Sequence, residues 1–267
     1  MQSQFKKTLL ISALALMGSV SGVAHAEEAA PAAAEPVDTL AFNAGVISEY
    51  RYRGISQSRL LPAVQGGADF TSKDGWYLGT WFSSIDWIKD NGTIAKVTGV
   101  KGPVELDLYG GYRGELATDL TYDVGYLRYE YAGNTLAKIK GFANANTDEV
   151  YGALTYKIFT AKYSYSLGDL FGTVNSKGSG YTDLSLNFDL GDGLSFVPHL
   201  GHQTVAGNGN SVYSYTDYSL TLGKDFGNGF SASAALIGTD AKTGSYVAPS
   251  GKSLSKSDFV AGVKYTF

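Results

Sequence analysis

The chain contains no cysteine, and after its N-terminal segment it has no hydrophobic run long enough for a membrane-spanning helix. The absence of cysteine excludes a disulfide framework and thiolate metal sites. A spanning helix needs about 20 consecutive apolar residues, so the sequence excludes helical insertion of the segment from residue 27 onward. Entry into a bilayer would instead require a closed β-barrel, because open strand edges cannot lie in lipid.

Histidine and positive charge are also scarce. Past the N-terminal segment the only histidines are His199 and His202, which differ in strand phase. The loop Gly207–Asn210 lacks clustered carboxylates, so neither zinc nor calcium has a convincing ligand set. The formal net charge is −4, whereas nucleic-acid binders are normally basic. We therefore expect no metal, no cofactor and no nucleic-acid partner.

The sequence offers little for catalysis. Ser195 and His199 share a strand phase, but four residues of strand separate them by about 13 Å, too far for a nucleophile and its base. No glycine-rich phosphate-binding motif stands between a strand and a helix. We therefore expect no catalytic residues and no enzymatic activity.

The N-terminal segment has the features of a secretory signal peptide. Lys6 and Lys7 precede an apolar run from Thr8 to about Val23, and Ala24-His25-Ala26 provides a small-x-small cleavage site. This order of a basic, an apolar and a small-residue region is typical of exported precursors. We predict a signal peptide over 1–26, a flexible Ala/Pro/Glu-rich lead-in over 27–38 and a β-barrel over 39–267.

The remainder is rich in glycine, with 34 residues, and in tyrosine, with 19. Both suit twisted, closely paired strands with aromatic girdles. From Leu40 onward apolar residues recur with period two, which indicates strands. Charges in the clearest strands fall on the polar face, while Arg128, Glu130 and Lys224 share the apolar phase at strand ends. In the first strand we place Leu40, Phe42, Ala44, Val46, Tyr50 and Tyr52 on the apolar face, opposite Asn43, Gly45, Glu49, Arg51 and Arg53.

Alternation of apolar and polar residues alone does not separate a membrane barrel from a soluble β-sandwich, whose strands alternate as well. Loop lengths distinguish the two folds. Short turns are expected at 72–75, 114–119, 157–159, 191–193 and 227–229, and longer connections between the other strand pairs, with 54–61 the one short exception. Short turns on one side and long loops on the other are typical of outer-membrane barrels. The sequence predicts an all-β fold: a single antiparallel up-and-down transmembrane β-barrel of about 12 strands.

The C-terminal strand favours the same location. The chain ends with alternating aromatics, Tyr265 and Phe267, as outer-membrane barrels do where the barrel-assembly machinery reads their last strand. We expect residence in the bacterial outer membrane, with membrane lipid, the barrel-assembly machinery (through the strand ending in Phe267) and small solutes as partners.

Inward-facing charges are the candidate functional residues. Inward residues on neighbouring strands of a barrel lie next to each other. Acids and bases on the polar faces can therefore pair across strands and select solutes at a constriction. Over the polar faces of the clearest strands there are eight acids and five bases, which hints at a mild preference for cations. We expect passive diffusion of small hydrophilic solutes through a narrow charged lumen; the alternative is a structural or adhesive barrel without an open pore, because small barrels can be filled by side chains. The lumen candidates are Glu49, Arg51, Arg53, Glu105, Asp107, Arg113, Asp123 and Lys162.

Several segments resemble a known family. SEYRYRGISQS (Ser48–Ser58), PAVQGGADF (Pro62–Phe70) and GWYLGTWFSSIDW (Gly75–Trp87) carry the resemblance, followed by VELDLYGGYRGEL (Val104–Leu116) and LTYDVGYLRYEY (Leu120–Tyr131). The match continues more loosely through residues 149–157 and 162–169 to the terminal Phe. The chain resembles the TorF family, porin-like proteins long described as conserved and of unknown function. The resemblance implies an outer-membrane location and a channel role, and it implies no particular solute.

The N-terminal prediction is directly testable. Because Ala24 and Ala26 fit the cleavage site, the exported protein should begin at Glu27. Intact-mass measurement of protein extracted from outer membranes should show loss of residues 1–26, and Ala26→Pro should cause the precursor to accumulate. A mature protein that retains its N-terminal methionine would contradict this prediction.

Overall fold

The computed structural model describes residues 37–267. The predicted signal peptide, 1–26, and residues 27–36 of the predicted lead-in lie outside the described residues, so these boundaries stay predictions. Val37 and Asp38 lead into the first strand without regular structure. Over this described range, no helix has both the length and the apolar character needed to cross a membrane.

The described chain forms a closed antiparallel barrel of twelve spans, which confirms the predicted fold class. Consecutive spans pair with each other, as an up-and-down topology requires. A small hairpin, β2–β3, leaves this order, and β10 and β11 form one span interrupted at Asn187. The strands are β1 (Thr39–Ile47), β2 (Arg51–Tyr52), β3 (Ile55–Ser56), β4 (Ala63–Thr71), β5 (Trp76–Ser84), β6 (Val104–Ala117), β7 (Leu120–Glu130), β8 (Thr147–Tyr156), β9 (Phe159–Ser166), β10 (Gly180–Leu186), β11 (Phe188–Gly191), β12 (Leu194–Thr204), β13 (Tyr215–Gly227), β14 (Phe230–Thr239) and β15 (Asp258–Thr266).

The first and last strands close the barrel. β1 pairs with β4 on one side and with β15 on the other, in a register that places Ala44 opposite Tyr265. The amide of Phe42 donates to the Phe267 carbonyl at 2.9 Å, and the amide of Phe267 donates back to Phe42 at 2.9 Å. The backbone groups of both terminal strands are therefore hydrogen-bonded within the barrel.

The outer surface of the barrel is apolar. On β13, for example, Tyr218, Leu220 and Leu222 are exposed, while Ser219 and Thr221 are buried inside. The same alternation runs through the other spans, which confirms the period-two interpretation. Exposed aromatics concentrate near the strand ends, as in the girdles of membrane barrels. They include Phe42, Phe70, Trp76, Tyr126, Tyr156, Phe159, Tyr163, Tyr165, Phe188, Tyr218, Phe226, Phe230, Phe259, Tyr265 and Phe267.

The two ends of the barrel differ. At one, here the turn end, Asp192-Gly193 and Asn228-Gly229 join strands through positive φ angles of 52° and 71°, and of 51° and 80°, the geometry of two-residue type I′ turns. At the other, the loop end, the connections are 48–62, 85–103, 131–146, 167–179, 205–214 and 240–257. The predicted alternation of short and long connections is confirmed, except for the first loop-end connection.

That first connection corrects the sequence interpretation. β1 ends at Ile47, and residues 48–62, here called the inner segment, turn into the barrel and form the β2–β3 hairpin there. Tyr50 and Tyr52, predicted on the apolar outer face, therefore lie inside, with Tyr50 fully buried. The alternation of charge and tyrosine over 49–53 imitates a strand, but these residues leave the barrel wall at Ser48.

The inner segment divides the interior into two halves. At the loop end, Tyr50 and Ile47 join a packed apolar cluster with Trp81, Ile88 and Leu136. Ile88 belongs to a short helix, α1 (Trp87–Ile94), in a connection for which no helix was predicted. Toward the turn end, the interior is a polar cavity of about 830 Å³. The barrel is thus filled near its loops and hollow near its turns.

The outward apolar face generates a depth-dependent prediction. Leu220 lies near the middle of β13 and Phe226 near its end, both facing outward. A basic side chain costs about 2–4 kcal/mol at the bilayer midplane and about 0–1 kcal/mol near the interface. Leu220→Arg should therefore lower the free energy of unfolding in phospholipid vesicles by about 2–4 kcal/mol, and Phe226→Arg by much less. Equal losses at both positions would contradict an outward hydrocarbon-facing surface.

Candidate functional site: the lumen and the inner segment

The cavity extends from the turn end to the inner segment. Lys73 and Asp74 line it at the turn end, and Arg51 and Arg53 line it at the inner segment. Of the eight predicted lumen residues, Glu49, Arg51, Arg53, Arg113, Asp123 and Lys162 line this cavity. Glu105 and Asp107 point inward as well but are buried in the packed half. All eight therefore lie inside the barrel, at two different levels.

The tip of the inner segment is a tight turn. Arg53 and Gly54 have φ angles of 46° and 79°, so they connect β2 and β3 as a type I′ turn, for which X-Gly pairs are suited. A Cβ on Gly54 would clash with Thr239 and would lie 2.8 Å from the Cβ of Asp217. Only glycine allows this turn to press against the wall formed by β13 and β14.

Arg53 occupies a recess in the barrel wall. Its Nη2 donates to Glu149 Oε2 at 2.7 Å and its Nη1 to Gln203 Oε1 at 2.6 Å. The guanidinium carbon lies 4.2 Å from the centroid of the Tyr181 ring. Burial alone would lower the pKa of Arg53, but the Glu149 carboxylate, together with Tyr52 and Tyr129, raises this pKa above its ordinary value. Arg53 is thus a buried, fully charged cation bound by a carboxylate, an amide and an aromatic face.

Arg51 fixes the other side of the hairpin. Its Nε lies 2.9 Å from Glu49 Oε1, and its Nη1 donates to the carbonyls of Gly54 at 3.1 Å and Lys256 at 2.8 Å. Asp258 lies 3.9 Å from its Nη2. Arg51 therefore neutralises Glu49 inside the segment and connects it to the chain that enters β15.

A second contact joins the inner segment to Glu105, one of two inward acids of β6. The Tyr50 hydroxyl donates to Glu105 at 2.6 Å, and burial together with the Glu105 charge raises the pKa of Tyr50 well above its ordinary value. Tyr50 therefore stays a neutral donor. Asp107, by contrast, is fully buried, and neither of its carboxylate oxygens has a hydrogen-bond partner.

Residues of the loop end, mainly α1 and the residue before it, contact the inner segment on the side away from the cavity. Arg59 forms a bidentate interaction with Asp90 of α1, with its Nε at 2.8 Å from Oδ2, and it lies 3.3 Å from Asp86. The amides of Asp86 and Trp87 both donate to the Gln57 carbonyl, at 2.9 and 3.2 Å. The inner segment is therefore held between the barrel wall and α1.

The hollow half is lined by tyrosines and alternating charges. Arg113 lies directly opposite Asp123 in the β6–β7 register, with its guanidinium carbon 4.3 Å from the Tyr77 ring centroid. The Tyr77 hydroxyl donates to Asp123 at 2.5 Å. Lys162 Nζ lies 3.9 Å from the Tyr151 ring centroid. These contacts order the charged side chains around the cavity wall.

Several inward groups were not among the predicted residues, and His199 and Glu149 are two of them. His199 faces inward, with Nε2 at 3.4 Å from Asp183 and Nδ1 at 3.6 Å from Asp217, whereas His202 is exposed and contacts Thr216. The different strand phase of the two histidines predicted this separation, but nothing local signalled the acids, which come from β10 and β13. Among residues 37–267, no group of three His, Cys, Asp or Glu side chains is placed to hold a metal ion.

A family model for a bacterial protein of unknown function (Gcw_chp) matches residues 29–267, almost the whole chain. The chain belongs to this Gcw_chp family. The family carries no functional description, so the resemblance to TorF proteins is supported only for a porin-like barrel and not for that name. No curated protein matches the chain.

Solved structures share the barrel of this Gcw_chp protein. The KdgM porin superposes with a TM-score of 0.50 at 8% identity, covering 86% of this chain and 99% of the porin. KdgM has also been solved in complex with disordered oligogalacturonate, and that structure gives a TM-score of 0.50 at 7% identity. The NanC porin superposes with a TM-score of 0.53 at 12% identity, covering 85% and 98% of the two chains. At such identities the similarity shows a common fold.

The close packing of the β2–β3 turn against the wall can be tested by a substitution that adds one methyl group. Gly54→Ala should push the hairpin away from Thr239 and Asp217, so backbone amides over 51–58 should exchange faster with solvent deuterium. Gly133→Ala is the matched control, because Gly133 also has a positive φ, 63°, but a Cβ there would meet nothing within 4 Å. Unchanged exchange in Gly54→Ala, or equal effects of both substitutions, would contradict the close packing of the hairpin.

Proposed function

We propose that this protein is an outer-membrane channel for small hydrophilic solutes, narrowed by its own inner segment. The carrying observation is the closed barrel with an apolar outside and a polar interior cavity of about 830 Å³. A barrel with this polarity suits a hydrocarbon surrounding, because it satisfies every strand edge internally. The charged side chains that line the interior would discriminate between solutes of different charge, because the surrounding wall and lipid screen them little.

The orientation follows from the asymmetry of the barrel. Outer-membrane barrels place short turns in the periplasm and long loops outside, so the cavity would open to the periplasm and the inner segment would face the exterior. Membrane lipid would contact the exposed girdles. The barrel-assembly machinery would read β15, whose last residues, with Phe267, form the seam with β1.

The lumen residues would act at two levels in this proposal. Arg113, Asp123 and Lys162 line the hollow half and would select solutes by charge. Glu49, Arg51 and Arg53, with Glu105 and Asp107 of the wall, lie where the inner segment fills the barrel, and would control whether the path is open. Conduction therefore requires the inner segment to move, at least in part.

A second candidate function rests on the density of that filled half. The side chains of Arg51 and Glu49 are only 1% and 5% exposed, and the apolar cluster around Tyr50 and Ile88 is packed like a protein core. A barrel that never opens would be a structural or adhesive protein presenting its loop end to partners. The two functions differ in one measurable property, which is ionic conductance.

Removal of the inner segment should separate them. Ile47 and Ala63 lie directly opposite each other in the β1–β4 register, so an Asn-Gly type I′ turn can replace residues 48–62. In planar bilayers this loop-replaced variant should give single-channel steps several-fold larger than those of the wild-type protein, because the segment no longer narrows the lumen.

Gly54→Ala, which retains every other residue of the segment, should give an intermediate conductance or more frequent openings. Gly133→Ala should behave like the wild type. Circular dichroism and heat-dependent gel mobility would establish that each variant is folded. If folded wild-type protein inserts into bilayers but carries no current, the channel proposal is wrong and the closed structural barrel is supported. Folded loop-replaced protein without current would contradict a lumen that the inner segment alone narrows.

A further inference from the structure

The recess that holds Arg53 has the composition of a ligand site. The Glu149 carboxylate and the Gln203 amide oxygen each accept a hydrogen bond from one terminal nitrogen of the guanidinium, and the guanidinium lies over the Tyr181 ring. Charged acceptors in a planar arrangement with an aromatic face are the means by which proteins recognise guanidinium and ammonium groups. We infer that this wall recess binds the guanidinium or primary ammonium group of a solute, and that Arg53 occupies it as an internal competitor.

The charge of the wall supports this reading. At the level of the inner segment the wall presents Glu105, Asp107 and Glu149, and Asp107 has no hydrogen-bond partner although it is fully buried. The inner segment brings Arg53 to Glu149 and the Tyr50 hydroxyl to Glu105. Without the segment Glu149 would lose its guanidinium partner and keep only the Tyr129 hydroxyl, at 3.4 Å, as a hydrogen-bond donor. Three acids would then remain at this level of the wall, and they would attract a cation rather than an anion.

The recess is accessible from the hollow half of the barrel. Arg53 and Tyr181 both line the cavity, as do Lys162 and Ser164 next to them on β9. A cationic solute in the cavity can therefore approach the rim of the recess while Arg53 still covers the face of Tyr181. Glu149 and Gln203 lie behind the guanidinium and become available as it withdraws.

The backbone of the inner segment favours withdrawal of Arg53. Arg53, Arg59 and Leu60 all have positive φ, at 46°, 58° and 61°, and such conformations of non-glycine residues persist only while surrounding contacts hold them. A tethered group competes with an effective concentration of about millimolar or higher. A free solute would accordingly displace Arg53 in the millimolar range and, in the proposed channel, widen the path that it then follows.

Binding can be measured without any conductance. Agmatine, a small guanidinium compound with a primary ammonium group, should bind the loop-replaced variant in detergent micelles, as followed by isothermal titration calorimetry. Glu149→Gln in that variant should weaken binding at least tenfold. Glu115→Gln is the matched control, because Glu115 lines the same cavity at the turn end, and it should leave the affinity unchanged. Sodium acetate and sodium chloride should give no binding heat.

Displacement of Arg53 is tested in the wild-type protein. Agmatine at about tens of millimolar should accelerate deuterium exchange over 51–58, whereas sodium chloride at the same ionic strength should not. The inference is overturned if agmatine fails to bind the loop-replaced variant, if Glu149→Gln and Glu115→Gln have equal effects, or if binding occurs there but the wild-type segment stays protected. The inference depends on the proposed channel only for its transport role, so agmatine binding without bilayer current would retain the site and reject the channel.

Discussion

The structure depends on one constraint, the closure of the hydrogen-bond ladder between β1 and β15. An unpaired strand edge in hydrocarbon would cost several kcal/mol for each exposed backbone group, so the barrel is stable in lipid only as a complete ring. The reciprocal hydrogen bonds between Phe42 and Phe267 finish that ring at the turn end. Closure also inverts the usual distribution of residues: the apolar side chains face out, and the interior must accept the charged ones.

A charged interior creates a second problem, which the inner segment resolves. Removing one partner of a buried ion pair costs about 3–5 kcal/mol, while a well-packed apolar pair of the same size is often as stable as the ion pair itself. The Arg53–Glu149 pair is therefore a poor device for stability alone. The pair is more useful for fixing position than for adding stability. A guanidinium placed between Glu149 and Gln203 holds the β2–β3 hairpin in one position, whereas a non-directional apolar contact would not.

The barrel strands could be predicted from the sequence, whereas the path of the inner segment could not. The twelve spans were predictable, because an apolar outer face opposite a polar inner face imposes period two on residues such as Leu184, Leu186 and Leu220. The path of the inner segment was not, since Tyr50 and Tyr52 continue the apolar phase of β1 after the chain has left the wall. The Arg53-Gly54 pair was the available signal, because X-Gly between short extended stretches predicts a hairpin. Glu49, Arg51 and Arg53 lie inside the barrel by a different backbone path from the predicted one. The pairing of the two arginines with Glu149 and Asp258 depends on contacts that no local pattern contains.

The division of the lumen has a functional consequence that the fold alone does not impose. Twelve spans enclose more space than side chains of the wall can fill. The loop-end half is packed because the chain supplies fifteen further residues, 48–62, together with side chains of other connections such as Ile88 and Leu136. Residues 48–62 are held by polar contacts to the wall and to α1, and they carry left-handed backbone at three non-glycine positions. Strained backbone held by side-chain contacts releases when a competitor takes those contacts. The element that fills the barrel is thus also the element best suited to open it.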